Sequence, residues 1–362
     1  MPEDERAPAD ASSGLFGIKN SNRTTDSHWG KNCFNSSFPT SVACFMLANN
    51  IPAIYNRLAI VNDELRVVAA EISLRDVFNC AEATFNDIVF DFESRFEPYQ
   101  QYSFDTIDGI DLVVKHTDGR YLSPLEVKLT VLPDNSTVNG SEEDWGCELV
   151  VRSATTSYCA LGMFDSVSSI SDVGAIREIF ENACADIGSW TNDFEMSHKT
   201  AALSSCINVF QERFIDMQKP LLMQIMWKTQ GQTPFLADNA FDIVVWSDFA
   251  FSRLFVDRSL NAVATMSRPT RASAKLARCI WELSKSGKVR LAEIYRQIAF
   301  EKQTDKEFSI NGQGWRKYIN SDRITTPILP KSIVNEIIEP GYIDRLRPER
   351  RFDQTLYFTL RR

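Results

Sequence analysis

Asp108-Gly-Ile-Asp111-Leu-Val-Val114 and Tyr121-Leu-Ser-Pro-Leu125-Glu126-Val127-Lys128-Leu-Thr130 are two apolar-rich runs on either side of Asp118-Gly119. Runs of this kind around a turn dipeptide predict a β-hairpin, with strands over Ile110–Lys115 and Tyr121–Thr130. Side chains alternate along a strand, so Glu126 and Lys128 share one face while Val127 points to the other. A two-residue turn at Asp118-Gly119 sets a register in which Asp111 falls opposite Glu126, with Cβ atoms roughly 5 Å apart. Ser123-Pro124 interrupts the second run. Pro removes a ladder donor, so a bulge or an edge position there would shift the pairing.

Two carboxylates at that separation among apolar residues are costly alone and favourable around one hard cation. Asp111, Glu126 and Lys128 are therefore the candidate catalytic residues, and Asp111, Glu126 and Val127 the candidate metal ligands, with Mg²⁺ the expected cofactor. Lys128 would hold or help deprotonate a water that attacks a phosphodiester, while the metal stabilises charge developing on the phosphate. The plain structural reading is a solvated Glu–Lys pair on a hairpin; the Asp-Gly-Ile-Asp run at hairpin-compatible spacing is what favours chemistry. Asp108 is an alternative ligand that fits the register less well. Glu71 and Glu82 are candidates for a further acidic ligand.

Upstream of the hairpin, Leu74, Val77, Phe78, Ala81, Phe85, Ile88, Phe92 and Phe96 recur at three- and four-residue steps. That spacing predicts a helix from about Glu71 to Phe96, stopped by Pro98. A short helix is expected over 41–49. Downstream come a polar loop over Pro133–Asp144, helices over 154–186 and 196–218, and a second strand pair, Leu221–Lys228 with Phe241–Trp246. The sum is an α/β chain, a central mixed sheet flanked by helices. Beyond residue 250 the pattern changes to shorter, more basic helices. The expected divisions are an acidic disordered tail over 1–13, a core over 14–254 and a basic, mainly helical C-terminal part over 255–362, with a soft boundary.

The formal net charge of −9 counts against a polyanionic partner, yet the average hides a reversal. Residues 253–362 hold 22 Lys and Arg against 12 Asp and Glu, and the rest of the chain 17 against 36. The basic third is thus suited to an anionic polymer. Within it Arg271, Lys275 and Arg278 fall at helical spacing and are candidate phosphate contacts, although a solvated helix face reads the same way. Gln313 and Arg316, in Asn311-Gly-Gln-Gly-Trp-Arg-Lys317, are candidate base readers, because Gly permits close backbone approach and Gln and Arg can bond purine edges. Lys19, Asn20, Asn22, Arg23 and Lys31 form a polar and basic segment, a DNA-backbone contact or a surface loop.

Eight cysteines without a C-x-x-C pair predict reduced, mostly buried thiols and no zinc knuckle. No apolar run approaches the roughly 20 residues of a membrane span and no secretory signal is evident, so a soluble cytoplasmic protein is expected. Only His28, His116 and His198 are available to an HNH nuclease or a Ser/His/Asp hydrolase, and no P-loop appears.

Gly14-Leu-Phe-Gly-Ile-Lys-Asn-Ser-Asn-Arg23, Trp29-Gly-Lys-Asn32 and Phe34-Asn-Ser-Ser-Phe-Pro39, with Asp108-Gly-Ile-Asp-Leu112 and Leu125-Glu-Val-Lys-Leu129, resemble the HindVP family of type II restriction endonucleases. The resemblance covers most of the chain and is clearest over 14–160. It implies a restriction-endonuclease-like PD-(D/E)xK core and a Mg²⁺-dependent nuclease cutting double-stranded DNA at a short palindrome, with a GRCGYC-type sequence as the family target. The motif's Pro is replaced by Ile110, which the chemistry tolerates because that Pro ligates nothing. A palindromic target is most simply read by a homodimer, and a DNA methyltransferase would be the genetic partner. The alternatives are a repair or structure-selective nuclease with the same centre, and a DNA-binding protein that cuts nothing.

Overall fold

The computed structural model describes residues 40, 42–80, 87–132, 149–230, 235–260, 265–300, 306–310, 318 and 329–330. Its centre is a mixed sheet of β1 (Ala53–Val61), β2 (Glu64–Ile72), β3 (Ile88–Ser94), β4 (Ile110–His116), β5 (Tyr121–Leu132), β7 (Pro220–Gln230) and β8 (Phe235–Ser247). The strands lie in the order β2-β1-β8-β7-β5-β4-β3, and β10 (Leu329–Pro330) adds to β8. The pairs β1–β8 and β5–β7 are parallel and the other neighbours antiparallel. A separate two-stranded sheet joins β6 (Leu149–Arg152) to β9 (Lys306–Ile310).

The β4–β5 hairpin reaches the expected register by an unexpected route. The His116 N–H donates to the Arg120 carbonyl and the Gly119 N–H to the His116 carbonyl, both at 2.8 Å, which makes a three-residue loop. Gly119 sits at φ +93°, the left-handed position such a loop requires. A bulge between Val114 and Lys115 then shifts the ladder by one, giving Val114↔Ser123, Val113↔Pro124 and Leu112↔Leu125. Continued by one residue, this register sets Asp111 opposite Glu126. Pro124 is accommodated because pairing of β5 to β7 begins only at Glu126, leaving an edge on that side.

Upstream, the long helix expected over 71–96 is not formed. Glu71 is the penultimate residue of β2, a four-residue α2 (Leu74–Val77) follows, and Ile88–Ser94 is strand β3. Ser73 caps α2 by accepting from the Arg75 N–H, and Asn79 at φ +53° turns the chain out of it. The three- and four-residue spacing joined apolar side chains belonging to different elements. The β1–β2 hairpin also escaped the pattern; its turn residues Asn62 and Asp63 both have positive φ, as a type I′ turn requires. The short helix α1 (residues 42–48) forms as expected. The helix expected over 154–186 is two, α3 (Ser153–Ser168) and α4 (Val173–Ala185), with Asp172 capping the second through the Gly174 N–H. The helix expected over 196–218 is α5 (Asp193–Arg213).

Each face of the sheet carries its own core. Leu112, Val114, Leu125 and Val127 pack with Met223 and Ile225 against α1 and α2. Val113, Leu222, Met226, Val244 and Trp246 pack on the opposite face under a helical layer of α3, α4, α5, α6 (Asp248–Leu260), α7 (Arg268–Ser286) and α8 (Leu291–Gln297). The boundary expected near 255 falls inside α6, and this core runs without interruption from Ile54 to Ile310. Among the described residues the C-terminal part is mainly helical, as expected, and it also supplies the short strands β9 and β10. The six described cysteines are free, and all but Cys206 are buried. Among the described residues no helix is long and apolar enough to cross a membrane.

Where β8 passes into α6, Asp248 is only 2% exposed. One carboxylate oxygen accepts from the Lys219 and Phe249 N–H groups at 3.0 and 2.8 Å, and the other has no hydrogen-bond partner among the described residues. Burial pushes its pKa up to about 7, from an ordinary value of 3.8. The folded state therefore binds a proton that the unfolded state lacks between those values. This contribution to stability is full below pH 4 and is lost as pH rises through about 7. Asp248→Asn is expected to raise the melting temperature more at pH 8 than at pH 5. An equal shift at both pH values would show that Asp248 does not titrate in this range.

Candidate active site

Glu126 and Lys128 lie on β5 and Asp111 is the second residue of β4, all on the sheet face covered by the helical layer. The Lys128 ammonium donates to Asp111 Oδ2 at 3.4 Å and makes a closer ion pair with Glu126 Oε1. Asp111 Oδ2 also accepts from the Val127 N–H at 2.9 Å, so the carboxylate clamps the strand that carries its partners. Glu126 is 5% exposed, whereas the side chains of Asp111 and Lys128 are each 23% exposed, so the group opens to solvent on one side. The three residues singled out from the hairpin are thus brought together.

Their charges are coupled. Burial raises the Glu126 pKa and Asp111 adds to the rise, against the pull of Lys128. Burial alone would lower the Lys128 pKa, but Glu126 and Asp111 outweigh it and hold it above the ordinary lysine value. A lysine so held stays protonated at neutral pH and serves as a hydrogen-bond donor. Its competence is to orient a water and stabilise an oxyanion.

The motif's other residues shape the approach. A Cβ on Gly109 would stand 3.1 Å from the Glu93 carbonyl oxygen, so Gly lets the connection pass close to β3. Asp108 is exposed, and its carbonyl accepts from the Tyr158 hydroxyl at 2.9 Å. The same hydroxyl accepts from the Phe96 N–H at 3.1 Å, so Tyr158 on α3 pins both flanks of the hairpin's entry. Val127 turns its side chain into the opposite core.

Glu71 lies on β2, four strand positions from β5 and so roughly 19 Å away, too far to complete the site. Glu82 lies outside the described residues. The acid that sequence reading missed is Glu93. The β3–β4 register, Phe92↔Leu112 and Ser94↔Ile110, sets it opposite Asp111, and its backbone is left-handed at φ +48°. Partial burial, then Asp111 and Glu126, push its pKa up. Reading Ile88–Ser94 as a strand would have found it. Among the described residues no three His, Cys, Asp or Glu side chains converge closely enough to hold a metal by themselves.

The three basic candidates on α7 face inward. Arg271 is 6% exposed, and its guanidinium donates to the Met266 and Ala299 carbonyls, both at 3.0 Å, and to Asp193 at 2.7 Å. Lys275 lies over the Tyr295 ring and Arg278 over Trp190, each buried. All three lie in the stretch of α7 from Thr270 to Trp281 that is buried throughout, rather than on a solvated face. Gln313, Arg316 and the basic segment over 19–31 lie outside the described residues.

The HindVP restriction endonuclease family matches residues 29–361. The chain is 33% identical to the type II restriction enzyme HgiDI of Herpetosiphon aurantiacus, over 96% of each chain. It is 31% identical to the probable type II restriction enzyme HindVP of Haemophilus influenzae, over 99% of this chain and 97% of the other. No solved structure matches it. The chain belongs to the HindVP family of type II restriction endonucleases, site-specific deoxyribonucleases.

Proposed function

We propose that the chain hydrolyses phosphodiester bonds in double-stranded DNA at a short palindrome of the GRCGYC type, with Mg²⁺ as cofactor and Asp111, Glu126 and Lys128 as its centre. One observation carries this reading: the Lys128 ammonium lies between two carboxylates on adjacent strands, one of them almost fully buried. Positive charge already occupies the position a divalent cation would share, and the donors are the hard oxygens such an ion takes. Asp111 and Glu126, with the Val127 main chain, would hold the metal. When bound, it supplies a Lewis acid that polarises the phosphate and lowers the pKa of a bound water.

The chain's own groups do the rest. Asp111 fixes the spacing of β4 and β5 through the Val127 N–H, so the carboxylate pair is preorganised before substrate arrives. Lys128 keeps its proton and donates hydrogen bonds to the attacking water or to the oxyanion. A homodimer would match the two-fold symmetry of a palindrome, and a cognate methyltransferase would protect the host's own sites.

Incubating a sequenced plasmid with the protein and Mg²⁺ is expected to give discrete fragments whose ends map to one short palindrome, and EDTA should abolish them. Random nicking, or an intact plasmid under a gel shift, would overturn the reading.

A further inference from the structure

On the connection that feeds β4, Phe104 is 55% exposed. Two cations lie against its ring, Arg290 with its guanidinium carbon 4.9 Å from the centroid and Lys288 with its ammonium 5.8 Å away. Both are exposed, and among the described residues neither makes an ion pair with a carboxylate. Neighbouring Lys285, by contrast, is paired with Glu282 at 3.6 Å and lies over Trp281. Glu293, the other acid beside this groove, is bonded to the Gln297 amide at 2.9 Å.

The patch is also rigid. The Phe104 N–H donates to the Val289 carbonyl at 3.0 Å and the Val289 N–H to the Tyr102 carbonyl at 2.9 Å, so buried Val289 ties the 286–290 turn to the 103–109 connection. Asp105 accepts from the Ala292 N–H, and the Gln100 side chain holds the Asp105 carbonyl and the Ile107 N–H. Main-chain hydrogen bonds thus fix at one place on the surface an exposed phenyl and two cations that, among the described residues, have no carboxylate partner. Phosphate is the complementary charge.

We propose that Lys288 and Arg290, held over Phe104, form a phosphate clamp for the duplex that the centre at Asp111 cuts; this rests on the DNA reading above. Phe104 lies seven positions before Asp111, a span of at most about 25 Å. That is less than one turn of B-form DNA, roughly 34 Å, so one duplex can touch both. The phenyl's role is to hold the two cations in place, which lowers the cost of ordering them on binding. The contact is to the backbone, so it adds affinity without selecting sequence.

The test is the salt dependence of duplex binding by the full chain in EDTA, measured by fluorescence anisotropy with an unrelated 30-base-pair DNA and with a DNA carrying the cleaved site. The K288A/R290A double variant is expected to reduce the salt slope by about two for both DNAs and to weaken binding by on the order of tenfold per cation at 0.1 M salt. F104L should weaken binding a few-fold at unchanged slope. R66A, which removes an exposed arginine paired with Glu64 on the far edge of the sheet, is the control for mere loss of charge and should keep the wild-type slope. A double variant with the wild-type slope would overturn the clamp, and an F104L protein with unchanged affinity would overturn the role of the phenyl. If the wild type binds no duplex in a salt-dependent way, the DNA reading falls and the clamp with it.

Discussion

Lys128→Ala is expected to lower DNA cleavage by roughly 10²–10³-fold while duplex binding stays near wild type. The size follows from removing a preorganised donor at the reacting centre. Binding survives because the residue faces Asp111 and Glu126 and lies outside the Phe104 patch. The same substitution carries a thermodynamic signature. Glu126 is 5% exposed and loses its counter-charge, with Asp111 still raising its pKa, so the variant should be less stable at neutral pH by on the order of 2 kcal/mol. Added Mg²⁺ replaces the missing positive charge and should raise its melting temperature more than that of the wild type. Retained cleavage would remove Lys128 from the centre, and identical metal-induced shifts in the two proteins would mean that the carboxylate pair is not where the cation binds.

The convergence of the three candidate residues was legible because its determinants are local. A turn dipeptide, two apolar runs and strand alternation place Asp111, Glu126 and Lys128 together without knowledge of any other element. Even so, the register came right by compensation: the turn has three loop residues where two were expected, and the bulge at Val114 and Lys115 restores the shift. The helix expected over 71–96 shows the opposite case. Ile88, Phe90 and Phe92 alternate as a strand, but Ile88 and Phe92 are also four residues apart and satisfy a helical period, and only pairing with β4 decides between them. With that strand misread, Glu93 could not be placed opposite Asp111. Pairing across long sequence separations, such as β5 with β7 and β1 with β8, is likewise absent from any local pattern.

Arg271→Ala should destabilise the protein and leave DNA binding alone, the reverse of what its place in a basic, helically spaced triplet suggests. Helical spacing established that Arg271, Lys275 and Arg278 share a face, and nothing in the spacing says which way that face points. In the fold it points inward, and charge becomes internal structure. The Arg271 guanidinium joins α7 to the Met266 and Ala299 carbonyls on either side of it and to Asp193 in the first turn of α5. Alanine leaves those acceptors without a donor in a site that is 6% exposed. Asp193 can turn to solvent, so most of the cost falls on the two carbonyls and the lost packing, about 2–4 kcal/mol in all. In a chain of 362 residues that is a fall of roughly 3–5 °C in melting temperature. The salt slope of duplex binding, measured where both proteins are folded, should match the wild type, whereas R290A should lower the slope by about one with little change in melting temperature. An R271A protein with wild-type stability and a reduced slope would return Arg271 to the DNA-facing surface and require α7 to present its other side.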